Sequence, residues 1–363
     1  MNEADLAPVE QTLAEGVPFG RYEYIAEQVA AVYSDLLTVV SAESVAAKDL
    51  LARLDELGPE ARVSGFRDSL LRRTIEDGAC KIVLGIDTID LATLDDLLAA
   101  AGSPAVAESQ TLLNHNGLAT YLGPTPDFGF VWIGDGSDDS LAGRRFTGEV
   151  LKRIPQFRIH SPTQEQVDTL TKGARLALAV APALATSALA HNFMVVLGDF
   201  GGEDHPFKSF TVPGLPGVMI LSPWTVSSAA AAAEALFHEA FHLKFLDIDY
   251  ISPLFTPGFR QETSPKITPV WHQDDPENGQ WPVDRVLTSM HVYLALAVFF
   301  ERARTRDDVE VWKDGAELRA TQCRRRAEWL SDTAQDYLDY LTDSGRQFVS
   351  SVRAMVRRLS PAV

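Results

Sequence analysis

Cysteine is scarce: the 363-residue chain holds two, Cys80 and Cys323. They lie far apart and neither stands in a zinc-type spacing, which excludes a disulfide framework and a cysteine-ligated zinc module. Two reduced, buried thiols in a cytoplasmic protein are the expectation. Basic residues are outnumbered, 32 Lys and Arg against 50 Asp and Glu, for a formal net charge of -18 and a pI near 4.8. Such a surface repels phosphate backbones and anionic membranes, so no nucleic-acid partner is expected. No apolar run reaches the roughly 18 residues that a spanning helix needs, and the most apolar stretch, 176–189, contains Pro182, so no membrane partner is expected either. The opening residues, MNEADLAPVEQ, are acidic and lack the apolar segment of a signal peptide. There is no internal repeat.

What is present is apolar content of 46%, enough for a sizeable core, in a chain long enough for two domains. Residues 1 to about 20 read as a loose polar leader. From Tyr22 to about Ala101 apolar residues recur at three and four, the helical period. Thr120 to Ser140 reads as loops around one short strand, FVWI. A long helix is expected from Thr163 to about Ala190, kinked near Pro182. Three short apolar runs, 193–198, 209–212 and 217–222, have the length, β-branching and flanking glycine or proline of strands. An alanine-rich helix from about Val226 to Leu246 follows them. A polar, proline-rich loop spans 251–281, and a helix opens at Pro282, a favoured first-turn position, and runs to about Arg304. Two more helices, broken near Asp343–Gly345, complete the chain. The fold class expected is α+β, mainly helical, with a small β-sheet beside the alanine-rich helix. Two regions are expected: 1–160, N-terminal and mainly helical, and 161–363, a metal-binding catalytic domain.

That assignment rests on His238-Glu239-Ala240-Phe241-His242 in the alanine-rich helix. Each helical residue turns about 100°, so residues four apart share a face. His238 and His242 thus aim two imidazoles at one ion, and Glu239 is placed for catalysis beside it. HExxH arises by chance in roughly 1% of chains this long. The apolar neighbours Leu236, Phe237, Phe241 and Leu243 place it in a buried helix, where two histidines need partners. The plain alternative is a pair of satisfied core histidines. A helical pair supplies two ligands and a third comes from elsewhere. His291, flanked by Met290, Val292 and Leu294, is the first candidate. His272, in VWHQDDP, is the second, and with Trp271 it also reads as substrate-binding. Asp249, Asp284 and Glu301 are carboxylate candidates. Glu301 faces away from His291 along the same helix. His115, His160, His191 and His205 are expected to be structural or on the surface.

The pieces SFTVPGLPGVMILSP, AEALFHEAFHLKFL, PVWHQDDP and WPVDRVLTSMHVYLALAVFFER, in this order over about 209–302, resemble the bacterial HExxH-type peptide beta-hydroxylases. These are iron- and 2-oxoglutarate-dependent enzymes associated with modified peptide natural products. LTDSGRQFVSSV resembles the C-terminal end of that family. The resemblance implies Fe(II) held by His238, His242 and His291, locally in a zincin-like setting. It also implies 2-oxoglutarate as cosubstrate and a peptide or carrier-bound amino acid as substrate. Lys244 matches a lysine that commonly follows the second histidine. An Arg-Pro pair of the family is replaced here by Trp281-Pro282. The cation for the far carboxylate of 2-oxoglutarate then falls to Arg285, Arg302 or Lys244, whose plainer reading is a surface ion pair.

Two other readings share these residues. In a zinc metallopeptidase, Zn2+ acidifies a water and Glu239 takes its proton. In a non-enzymatic helical binding protein, the metal is structural or absent. The strand before the motif helix could hold an extended peptide by edge pairing in either enzyme. Arg324-Arg325-Arg326, the one basic cluster, reads as a solvated helix face. The aromatic residues of 271–300 read as core rather than as a base-stacking platform. The sequence leaves the oligomeric state open.

Overall fold

The computed structural model describes residues 3–102, 119–123, 126–134, 140–200, 208–212, 214–274, 279–306 and 315–359. The described helices are α1 (Glu3–Glu15), α2 (Tyr22–Val40), α3 (Val45–Leu57), α4 (Pro59–Gly65), α5 (Ser69–Leu84), α6 (Leu91–Ala101), α7 (Leu141–Arg153), α8 (Gln164–Val180), α9 (Pro182–Leu189), α10 (Ala229–Ile251), α11 (Val283–Arg304), α12 (Ala316–Thr333) and α13 (Asp343–Leu359). The strands are β1 (Ala119–Tyr121), β2 (Phe130–Trp132), β3 (Arg158–His160), β4 (Met194–Asp199), β5 (Ser209–Thr211) and β6 (Val218–Leu221). The fold is α+β and mainly helical, with one small mixed sheet.

The chain divides into two compact units, each drawing residues from both sides of position 160. The sheet unit comprises Tyr22–Ala177 and Ala188–Leu243; the helical unit comprises Met1–Arg21, Leu178–Ser187 and Lys244–Val363.

In the sheet unit the strand order is β1-β2-β4-β6-β5, with β3 also paired to β4. β4 runs parallel to β2 and β6, and its run MVVLG is buried throughout, as a strand covered on both faces must be. β5 pairs antiparallel with β6, Ser209 opposite Leu221 and Thr211 opposite Met219, and ends the strand order as an edge. Gly217 takes a φ of +81° at the start of β6, where a Cβ would stand 2.9 Å from that of Phe193. Ser44 and Asp68 cap α3 and α5 with their side-chain oxygens. Asp77 and Glu149, both buried, are held by Arg73 and Arg145.

α8 comes unusually close to the motif helix. A Cβ on Gly173 would lie 2.7 Å from the Cβ of Ala232 and 2.9 Å from the backbone nitrogen of Ala233. The glycine on α8 and the alanines of α10 are therefore matched: small residues on both sides let the backbones approach.

In the helical unit, α11 packs along α12, and α1 packs against both α11 and α13. α11 is long and apolar enough to cross a bilayer, but 78% of its apolar window is buried inside the protein, as in a core helix. The segment expected to be a loose leader is instead α1. Leu6, Val9 and Leu13 form its buried stripe, too sparse to read as a period in an acidic, proline-containing stretch. The single kinked helix expected over 163–190 is two helices, because Pro182 opens α9 rather than bending one continuous helix. Pro282 stands at the N-cap of α11, one residue before the position expected.

Candidate metal centre

α10 begins at Ala229, three residues after the start expected, and Ser228 holds its first turn by accepting from Ala231 N. Phe237 and Phe241, both fully buried, fix one face of the helix in the core. That fixes the rotation of the other face, where His238 and His242 stand one turn apart. Their Nε2 atoms are 3.1 Å apart and their ring centroids 4.9 Å. For an ion holding imidazole nitrogens at about 2.0–2.1 Å, ligands at tetrahedral or octahedral angles stand about 2.9–3.4 Å from one another. The pair therefore fits one ion, with an N–H···N bond between the rings as the arrangement the ion would replace.

Glu239 completes a three-residue group whose donor atoms all lie within 4.8 Å of one another. Its Oε1 is 3.8 Å from His238 Nε2, wider than two ligands of one ion stand. That is the reach of a carboxylate that grips a water beside the ion. The residue is 2% exposed, and Oε2 has no hydrogen-bond partner among the described residues. Burial pushes the Glu239 carboxyl up to about 7, opposed by a hydrogen bond from Ser209. Burial, and then the field of Lys208, push the His238 imidazole down to about 4. His238 is therefore neutral and able to donate its lone pair at neutral pH. Its side chain is 31% exposed, so the group is open to solvent on one edge.

Lys208 and Ser209 are the site residues that sequence reasoning missed. Ser209 opens β5, the edge strand, and Lys208 directly precedes it, held by Ser222 N donating to Lys208 O at 2.9 Å. The strand itself was legible; that its first residues reach Glu239 and His238 depends on the pairing of β5 with β6.

The remaining candidates fall in the helical unit. His291 is buried on α11, edge-on to Phe348 with centroids 5.4 Å apart, and lines a cavity of about 70 Å³ with residues of α1 and α13. Lys244 does not offer its charge to a small molecule. It is 0% exposed and donates to Leu13 O at 2.7 Å, Gly20 O at 2.5 Å and Ser187 Oγ at 2.7 Å, which accounts for all three ammonium hydrogens. Arg302 is likewise committed, its Nε 2.6 Å from a Glu10 oxygen. Arg285 lies over the Trp281 ring at 4.5 Å. Trp271 and His272 pack into the same aromatic group, with His272 5.6 Å and Trp271 5.8 Å from Trp281. Arg326 is not a solvated residue of a basic face but lies 5.1 Å over Trp271. Asp249 accepts from Leu254 N, and Glu301 pairs with Arg304. In the sheet unit His160 lies 2.7 Å from Asp199, and His191 is buried edge-on to Tyr22. His115 and His205 lie outside the described residues.

No protein-family model matches the chain, and no curated protein matches it.

Proposed function

We propose that the protein is a metal-dependent enzyme, an Fe(II)- and 2-oxoglutarate-dependent oxygenase that hydroxylates a C–H bond of a peptide or carrier-bound amino acid. The observation that carries the metal is the 3.1 Å between His238 Nε2 and His242 Nε2. The resemblance of the 209–302 segment to the HExxH peptide beta-hydroxylases supplies the choice of iron and 2-oxoglutarate. Iron would supply activation of O2, coupled to decarboxylation of the 2-oxoglutarate. His238 and His242 would hold the ion as neutral imidazoles, fixed in rotation by Phe237 and Phe241. Ser209 orients the Glu239 carboxylate, which holds a water or a substrate N–H in place. Lys208 is exposed and its positive charge acts on His238, so an anionic group of substrate or cosubstrate would rest beside it. The outer edge of β5, unpaired among the described residues, would align an extended peptide by backbone hydrogen bonds.

Zinc peptidase chemistry is the second reading, favoured by Glu239 itself. A buried carboxylate beside a histidine pair, with an unfilled oxygen, is built to take a proton from a water.

Protein purified without air, then given Fe(II), 2-oxoglutarate and oxygen, should bind one iron per chain and release succinate. Both should be lost in His238→Ala and His242→Ala. His291→Ala is included because the resemblance assigns it a ligand's role; full iron binding in that variant removes the assignment. Zinc retained through purification, with peptide cleavage abolished by Glu239→Gln and no succinate, would replace the oxygenase with the peptidase. A wild-type chain that takes up neither metal would sink both.

A further inference from the structure

The helical unit carries a second constellation, which includes Arg285 and Trp271, two residues the sequence offered to cosubstrate and substrate. Two guanidinium groups bracket one aromatic stack. Arg285 lies 4.5 Å over Trp281, and Arg326 lies 5.1 Å over Trp271 and 5.2 Å over Tyr293. Trp271 joins the two halves, its ring 5.8 Å from Trp281 and 6.0 Å from Tyr293, edge to face. Trp281 is fixed by a two-way backbone bridge with Ile267.

Acid is abundant in this chain, and Arg73, Arg145, Arg302, Arg304 and Arg353 each have a carboxylate within ion-pair distance. Among the described residues Arg285 and Arg326 have none. Asp284 acts on Arg285 only through its field. The Nε1–H of Trp271 is buried and has no acceptor among the described residues. Tyr293 Oη accepts from Arg326 at 3.1 Å, which leaves its own hydrogen to donate. Among the described residues the open groups on these rings are donors, two of them cationic; the one open acceptor nearby is the buried Asp284 Oδ1, which a bound acid would meet as its protonated partner or not at all.

We propose that this stack is a binding site for a carboxylate carried on a flat or apolar body. A guanidinium fork matches the two oxygens of a carboxylate, and the ring faces cover the body behind it. An acidic or C-terminal carboxylate of a peptide and a free aromatic acid share this chemistry. The site stands independently of the metal centre.

Benzoate is the probe, titrated into the full-length, metal-free chain while tryptophan emission is followed. The His238→Ala variant is run in parallel, so that binding at the metal helix is removed from the readout. A saturable change is expected in both proteins, weakened about ten-fold or more in Arg285→Gln and in Arg326→Gln, the scale of one lost charged hydrogen bond. Benzamide, the neutral isostere, should bind equally weakly, and it tests the wild-type fold, so a misfolded variant cannot mimic the result. A short peptide ending in Phe, compared with its C-terminal amide, then separates peptide from free acid as the source. The proposal is overturned if benzoate gives no saturable change, if benzamide matches it, if folded arginine variants bind as wild type, or if inorganic phosphate binds and benzoate does not.

Discussion

Lys244 shows how far a residue's role can depart from its neighbourhood in sequence. It stands two positions after His242, yet its ammonium is spent on oxygens of α1, of the turn after it, and of Ser187. A buried cation is tolerated only when its hydrogens are all accepted, and here the acceptors are neutral. Leu13 O is among the last carbonyls of α1, where the helix dipole favours a positive charge. Lys244→Ala should therefore lower stability by about 3 kcal/mol, since hydrogen bonds to a charged group contribute about 1.5–3 kcal/mol each and relief of desolvation offsets part of the loss. Denaturant unfolding checks this. Unchanged stability together with weakened 2-oxoglutarate binding would return Lys244 to the cosubstrate. Nothing local could have revealed its role, because its partners lie 231, 224 and 57 positions away. The pairing of His238 with His242 was legible for the opposite reason: a spacing of four fixes it within one helical turn.

At the level of elements, the motif helix depends on a neighbour that offers it no side chain. Gly173 on α8 faces Ala232 and the backbone of Ala233, atoms that cannot swing aside. Gly173→Val adds bulk where even a Cβ has less than 3.0 Å, and overpacking of this kind costs about 1–3 kcal/mol. The small gain in helix propensity, a few tenths of a kcal/mol, does not offset it. The variant should melt earlier and bind metal more weakly, as α10 moves off α8; calorimetry and metal titration read the two effects separately. An unchanged melting temperature would show that the two helices yield at no cost. β4, β5, β6, α10 and α11 were legible because period, flanking turns and length agreed in each. α1 was not, because three large apolar residues in thirteen, with Pro8 among them, imitate a loop until α11 and α13 cover them. β1 and β3, of three residues each, exist only through their pairing with β2 and β4.

Over the whole molecule, the first twenty-one residues belong to the same compact unit as the last hundred and twenty. Burial of Leu6, Val9 and Leu13 contributes about 5–9 kcal/mol, at 1.5–3 kcal/mol for each large apolar side chain. That is comparable with the whole net stability of a domain, about 5–15 kcal/mol. Deleting residues 2–20 should thus unfold the helical unit, and also strip Lys244 of two acceptors and Arg302 of Glu10. Loss of cooperative melting would bear this out, and a cooperatively folded deletion product would refute it. The same arrangement sets an order of events on the ribosome. The sheet unit is complete once Leu243 has emerged, whereas α1 is made about 340 residues before the α13 it packs against, roughly 17–70 seconds at the usual pace of synthesis. Until α11 and α13 follow, the nascent chain carries the uncovered apolar stripe of α1, so a helix is made long before the surfaces that bury it.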